Sequence, residues 1–213
     1  MPSSRFEHIS DVISVISNLK PKTFLDVGCG FGRWGFLTRE FCDIFQGRYD
    51  KTSWETHIDA VEVFENYIMP HHEFIYDNVY IAKIEDYIPK MSRYDIIFAG
   101  DVIEHIEKND ANKVINNLRE KCDKALMIAL PLDDKWPQGE VFDNPNEIHK
   151  SVWTERDLKK LGASFVKIYT MKDDRLYAFA IWTDCPVQEY LSSSKTIRSR
   201  VIELGNKIIK RIP

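Results

Sequence analysis

The chain has 213 residues, 44% of them hydrophobic and 29% charged, with a net charge of -4; this is enough for one sizeable core in a soluble globular protein. The negative balance excludes a general nucleic-acid binder, which is usually basic, and no run of about 18 apolar residues is present to span a membrane. Met1-Pro2-Ser3-Ser4-Arg5-Phe6 lacks the apolar core of a signal peptide, and Cys29, Cys42, Cys122 and Cys185 form no C-x-x-C pair, so a cytoplasmic protein with reduced thiols is expected, without a disulfide frame or zinc site.

Residues 5–18 carry Phe6, Ile9, Val12, Ile13 and Ile16 at helical spacing, and Lys20-Pro21-Lys22 stops that helix. A first strand follows at 23–27, then a helix at 33–42. Residues 46–56 are polar and read as an inserted loop. Strands are expected at 57–64, 78–84, 94–100 and 125–130, with a helix at 111–121 before the last of these. The apolar runs of the fourth and fifth strands suit burial on both faces. Residues 131–150, rich in Pro, Asp, Asn and Gly, read as a functional loop or lid. Thr154 and Asp157 form a variant capping box that opens another helix. Strands at 164–171 and 176–182 flank the turn Lys172-Asp173-Asp174-Arg175, so they pair antiparallel. Apolar runs alternating with helical patterns predict a doubly wound α/β sheet.

Residues 1–186 read as one domain and 187–213 as a distinct tail. The tail carries Lys195, Arg198, Arg200, Lys207, Lys210 and Arg211 against Glu189 and Glu203, with Ile197, Val201, Leu204, Ile208 and Ile212 at helical spacing. A basic amphipathic helix of this kind lies on an anionic membrane surface, packs on the domain, or joins a second copy. Gly205 weakens it.

The densest feature is Asp26-Val27-Gly28-Cys29-Gly30-Phe31-Gly32, closing the first strand. Glycine has no Cβ, so such a strand-to-helix turn lets backbone approach a ligand. The acid before it can take a ligand's positive end, directly or through water. A dinucleotide turn reads G-x-G-x-x-G and sets a pyrophosphate on a helix N-terminus. Here the third glycine comes one residue early, and Asp26 would repel a pyrophosphate. A plain tight turn is the alternative. Glu62, ending the second strand, can accept both hydroxyls of a ribose, as acids at this place do in doubly wound folds. The insertion at 46–56 accounts for its long spacing from the glycines.

Four segments, LDVGCGFG (25–32), DAVEVF (59–64), YDIIFAGDVIEHIEK (94–108) and NPNEIHKSVWTERDL (144–158), resemble a class I S-adenosylmethionine (SAM)-dependent methyltransferase over residues 23–184. The last segment resembles small-molecule methyltransferases of bacterial polysaccharide and secondary-metabolite pathways. The resemblance implies a seven-stranded sheet of order 3-2-1-4-5-7-6 with the seventh strand antiparallel. It implies SAM as cofactor and S-adenosylhomocysteine (SAH) as product. Backbone at Gly28, Cys29 and Gly30 would line the methionine part, with Asp26 and Gly32 completing the cofactor-binding turn; Glu62 would hold the ribose, Val63 would lie against the adenine, and Asp101 near the amino group. The family often places an acid after the third strand against the adenine amino group. Here Lys83 stands there, so Glu85 or Asp86 substitutes, or the Ile84 backbone and packing hold the base.

Methyl transfer from a sulfonium is an in-line displacement, for which the protein aligns acceptor and methyl and, for a hydroxyl acceptor, removes a proton. His105 and His149 are the candidate bases, being suited to titrate near neutrality; the alternative is that they anchor a helix and a loop. Glu104 and Glu147 read as local caps or partners of these histidines. Trp136, Gln138, Asn144 and Trp153 read as pocket walls, or the tryptophans only pack the loop down. No metal site is expected: rings at adjacent His71 and His72 diverge on a regular element, and Asp133-Asp134 lacks a further ligand. The function expected is methylation of a small molecule, a hydroxyl of a sugar or glycan precursor. Methylation of a protein or amine, and a non-catalytic binding module, are the alternatives.

Overall fold

The computed structural model describes residues 3–191. Seven strands form one sheet in the order β3-β2-β1-β4-β5-β7-β6. They are β1 (Thr23–Val27), β2 (His57–Glu62), β3 (Asn78–Ile81), β4 (Tyr94–Gly100), β5 (Cys122–Leu132), β6 (Phe165–Thr170) and β7 (Leu176–Trp182). β1 to β5 run parallel, and β7 lies antiparallel to both β5 and β6. The helices are α1 (Ile9–Leu19), α2 (Arg33–Cys42), α3 (Pro70–Ile75), α4 (Ile84–Tyr87), α5 (Lys108–Glu120) and α6 (Glu155–Lys160). This is the sheet expected from the sequence.

Strand periodicity divides the core into two layers. Phe24, Ile96, Phe98, Met127 and Phe179 face α1, α2 and α3, joining Val12, Ile16, Trp34 and Tyr76. Leu25, Val27, Ile97, Leu126 and Ile128 face the other way, onto Val114, Ile115 and Leu118 of α5 and Leu158 of α6. Successive side chains point to opposite faces, so a continuous apolar run is what a strand covered on both sides requires.

Several boundaries differ from expectation. α1 begins at Ile9, and Phe6 is 66% exposed, so the apolar stripe starts one turn later. Lys20 in the left-handed region ends it, donating its backbone N–H to Ile16. β3 stops at Ile81, and Ile84 opens α4 instead of ending the strand. β5 runs longer, to Leu132, because antiparallel β7 pairs with it as far as Leu176. Thr154 and Asp157 form the expected capping box. The insertion at 46–56 is anchored from below: buried Asp43 accepts from Arg39, Arg48 and the Glu55 backbone, and the Arg39 guanidinium lies 4.1 Å from the Trp54 ring centroid.

Val187 and Leu191 are buried in the first of these layers. The remainder of the expected basic helix lies outside the described residues. Among the described residues no helix is long and apolar enough to cross a membrane. All four cysteines are free.

His8 is fully buried among the Trp34, Phe98, Tyr177 and Phe179 rings, and neither ring nitrogen has a hydrogen-bond partner among the described residues. Burial pushes its pKa down from 6.5 to about 3. The unfolded chain therefore binds the extra proton below pH 6.5, and stability falls as pH drops, by about 1.4 kcal/mol per unit. Urea midpoints at pH 7.5 and 5 should fall further for the natural protein than for His8→Phe; equal falls would count against this origin of acid sensitivity.

Candidate active site

The glycine turn joins β1 to α2. Gly28, Gly30 and Gly32 have φ of +69°, +50° and +83°, the left-handed region that side chains avoid. A Cβ on Gly28 would stand 2.4 Å from Val102 Cγ2. The turn is held from behind. Asp26 is fully buried and accepts from Tyr76 Oη at 2.6 Å and from the Gly35 backbone at 3.2 Å; burial raises its pKa to about 7. His72 accepts the Met69 N–H on Nδ1, leaving Nε2–H to donate to the Gly30 carbonyl at 2.9 Å. His71 Nε2 meets the Phe31 carbonyl at 3.0 Å. The two rings do not diverge as expected: their centroids are 4.2 Å apart, because each ring turns toward a carbonyl of the same turn.

In front of the turn lies a cavity of about 630 Å³, within the range of small-molecule sites and at the carboxyl ends of the strands, where such folds bind ligands. Gly28, Cys29, Gly30, Glu62, Val63, Ile84 and Asp101 line it. Asp26 and Gly32 are not among the lining residues; both serve the turn from behind. Glu62 is 5% exposed, and its two oxygens accept the Gly30 and Phe64 backbone N–H groups at 3.1 and 3.0 Å. Burial raises its pKa. Lys83 and Glu85 line the cavity, and Asp86 does not.

Asp101, at φ +54°, turns out of β4 and accepts from Tyr177 Oη at 2.9 Å and the Arg5 backbone at 3.3 Å; burial raises its pKa to about 6. The Arg5 contact belongs to a wall that sequence reasoning missed. Ser3, Ser4 and Arg5 line the cavity, held by Arg33 donating to the Ser4 carbonyl and Trp34 Nε1 donating to Ser4 Oγ at 3.2 Å. Two serines and an arginine before an amphipathic helix carry no signal of this.

The far end is built by the loop between β5 and α6. Its ends meet, Asp133 donating its N–H to the Trp153 carbonyl at 2.8 Å. Backbone N–H groups of Lys150 and Ser151 donate to the Glu104 carbonyl at 2.8 and 3.0 Å. This clamp brings the His105 and His149 rings to 4.9 Å between centroids. Trp136, Gln138 and Asn144 line the cavity as expected. Trp153 does not: it is fully buried in the core, its indole N–H donating to Ser151 Oγ at 2.9 Å. Glu147 is held by Tyr67 Oη at 3.0 Å and by Gln138. Glu104, expected as a cap or partner, is 1% exposed, and neither carboxylate oxygen has a hydrogen-bond partner among the described residues. Burial raises its pKa and lowers those of His105 and His149. The sequence shows no metal-ligand spacing, yet the fold gathers ligating atoms of Glu104, His105 and His149 within 4.8 Å of one another, because the loop returns His149 across 44 residues of sequence.

Comparison with known proteins gives a family and a fold. A family model described as tellurite resistance protein TehB matches residues 5–137. No curated protein matches the sequence. Among solved structures, TehB from Haemophilus influenzae superposes with a TM-score of 0.58 at 15% identity, covering 82% of this chain and 62% of that one. The N-terminal domain of EvdMO1, crystallised in the presence of SAH and D-fucose, gives 0.56 at 11% identity, covering 85% and 84%. Magnesium protoporphyrin IX methyltransferase from Synechocystis PCC 6803, with bound SAM, gives 0.55 at 12% identity, covering 83% and 77%.

The Gly28 geometry makes a separable prediction. Gly28→Ala should destabilise by about 2–4 kcal/mol, part from the left-handed φ and part from the clash. In a Val102→Ala background only the conformational ~1–2 kcal/mol should remain. Denaturant melts of the four proteins check this; an equal penalty in both backgrounds would remove the steric part.

Proposed function

The chain belongs to the tellurite resistance protein TehB family and has the class I SAM-dependent methyltransferase fold, and from that premise we propose that it transfers the methyl group of SAM to a hydroxyl of a small molecule, a sugar or glycan precursor. The observation that carries this reading is one cavity bounded at one end by the glycine turn and Glu62 and at the other by Glu104, His105 and His149. The first end has the features a nucleoside needs: close backbone at Gly28 and Gly30, a buried acceptor pair on Glu62 for the ribose hydroxyls, and apolar Val63 and Ile84 for the base. Lys83 stands beside the adenine, where Glu85 or the Ile84 backbone takes the amino group. Asp101 attracts the methionine ammonium. Asp26 acts through the turn it holds.

The second end suits a hydroxyl acceptor. A backbone carbonyl can only accept, so His105 Nδ1–H donates to Ile148 at 3.2 Å and His149 Nδ1–H to Trp136 at 2.6 Å. Each ring is thereby fixed as the tautomer with a basic Nε2. Burial opposes imidazolium formation, so these nitrogens stay unprotonated near pH 7. One of them takes the hydroxyl proton as oxygen displaces the sulfonium in line. Gln138 and Asn144 add hydrogen-bonding groups. The sugar assignment draws support from EvdMO1, crystallised with D-fucose on a similar fold.

Calorimetric titration with SAM and SAH, beside NAD as control, tests the cofactor half. Saturable binding of the first two alone is expected, and Glu62→Ala should weaken it by roughly 10- to 100-fold, the worth of a hydrogen bond to a charged group. Unchanged affinity in that variant would misplace the ribose. A screen of sugars and nucleotide sugars, read as SAH formation, tests the acceptor half. At saturating SAM, one of His105→Ala and His149→Ala, the one that removes the base, should lower kcat about 100-fold or more; near-normal rates in both would remove the imidazole base.

A further inference from the structure

Two imidazole rings and one buried carboxyl group meet at the acceptor end. His105 and His149 each commit Nδ1–H to a carbonyl, of Ile148 and Trp136, which leaves a lone pair on each Nε2. Glu104 brings a carboxylate that is 1% exposed and whose two oxygens have no hydrogen-bond partner among the described residues. A buried polar group without a partner costs on the order of 1–3 kcal/mol, more if charged, so native structures satisfy nearly all of them. The Asp101 carboxyl lies beside Glu104, a like charge that adds to the cost of leaving it without a cation. A metal ion joins the carboxylate to both imidazoles.

We propose that Glu104, His105 and His149 form a binding site for a divalent transition-metal ion, with an open coordination position turned toward the acceptor's oxygen. Two imidazoles and one carboxylate are a ligand set suited to zinc, iron or cobalt, and sites with three protein ligands keep the next position for water or substrate. The outer hydrogen bonds are those of metal-ligating histidines, which donate the second ring nitrogen's proton to a carbonyl or carboxylate and so fix tautomer and ring orientation. Here both rings do so. The ligating atoms lie within 4.8 Å of one another. Metal–nitrogen bonds of ~2.1 Å around a tetrahedral ion bring ligands to roughly 3.4 Å apart, a closure that side-chain torsions of Glu104 and His149 can supply. All three residues line the cavity, so the open position faces it.

The ion site itself stands independently of the methyl-transfer reading; its role toward an acceptor rests on that reading and alters one part of it. With the ion bound, both Nε2 atoms are ligands and neither is a base. An acceptor hydroxyl replaces the ion's water, the coordinated oxygen becomes more acidic, and its proton passes to solvent. The acceptor is then a hydroxylated compound, an oxygen ligand by chemistry.

The test uses the full chain, dialysed against a chelator and titrated with Co²⁺ by calorimetry and visible absorption, with SAM titrated into the same metal-free protein. One Co²⁺ per chain is expected, with d–d absorption of four- or five-coordinate nitrogen and oxygen ligation, and at least tenfold weaker binding in both Glu104→Gln and His149→Ala. Circular dichroism of each variant establishes folding, and His149 belongs to neither core layer. Binding absent from the natural protein, or unchanged in both variants, would overturn the site. SAM binding to metal-free protein separates the two readings: cobalt binding without SAM binding leaves the ion site and sinks the cofactor, and the reverse sinks only the ion site.

Discussion

The arrangement in front of the sheet depends on the carboxylate of Asp26 behind it. Three residues of the turn sit in the left-handed region, a conformation that glycine allows but does not enforce. Enforcement comes from a buried acid, one oxygen of which takes two donors. Its donors are the Gly35 backbone, in the first turn of α2, and Tyr76 Oη, just past α3. One side chain thus ties β1 to two helices. The tie explains a glycine outside the turn: a Cβ on Gly35 would fall 2.3 Å from the Tyr76 ring. His72 repeats the logic from the same segment, capping α3 through Nδ1 and holding the Gly30 carbonyl through Nε2. The segment around α3, which contributes no residue to the cavity wall, is therefore part of what shapes it.

At the other end a backbone carbonyl has the corresponding role. Glu104 offers its C=O to two consecutive amides of the returning loop while its side chain stays buried. The loop's two ends are joined by the Asp133–Trp153 hydrogen bond, so its length is not open-ended freedom but a closed Ω-like unit. Lys108 Nζ lies 3.4 Å from the Trp153 ring centroid and bonds Asp157, which locks the loop's exit onto α5 and α6. Positions as distant as 105 and 149 thereby acquire a fixed geometry.

The strands were legible because the apolar runs from Phe24, Tyr94 and Ala125 have the length and density of strands covered twice, and the glycine turn because its residue types have few other uses. Glu62 was legible from position alone. The far end of the cavity was legible as a set of residues and not as an arrangement: nothing local in Ile103-Glu104-His105 or Ile148-His149-Lys150 says that two amides will find the Glu104 carbonyl. The same limit hid Ser4 and Arg5, whose contacts with Gly100 and Asp101 cross 96 residues, and misjudged Trp153, since an indole beside a loop reads alike whether it faces a ligand or the core. What local pattern encodes is which face is apolar; which polar groups converge is set by tertiary closure.

Charge follows the chemistry proposed for each end. Burial raises the pKa values of Glu62 and Asp101, so the ionised form of each gains by acquiring a cationic neighbour. SAM carries such charge twice, on its ammonium and on its sulfonium, and in a cavity of low dielectric the attraction reaches beyond contact distance. Methyl transfer removes the sulfonium charge while leaving every hydrogen bond of the nucleoside in place. On the proposed placement the acids would then lose part of what held the ligand, and the product would be bound less well than the substrate by an electrostatic term alone. On the proposed reading, the end that binds by charge would also be the end that releases by losing it.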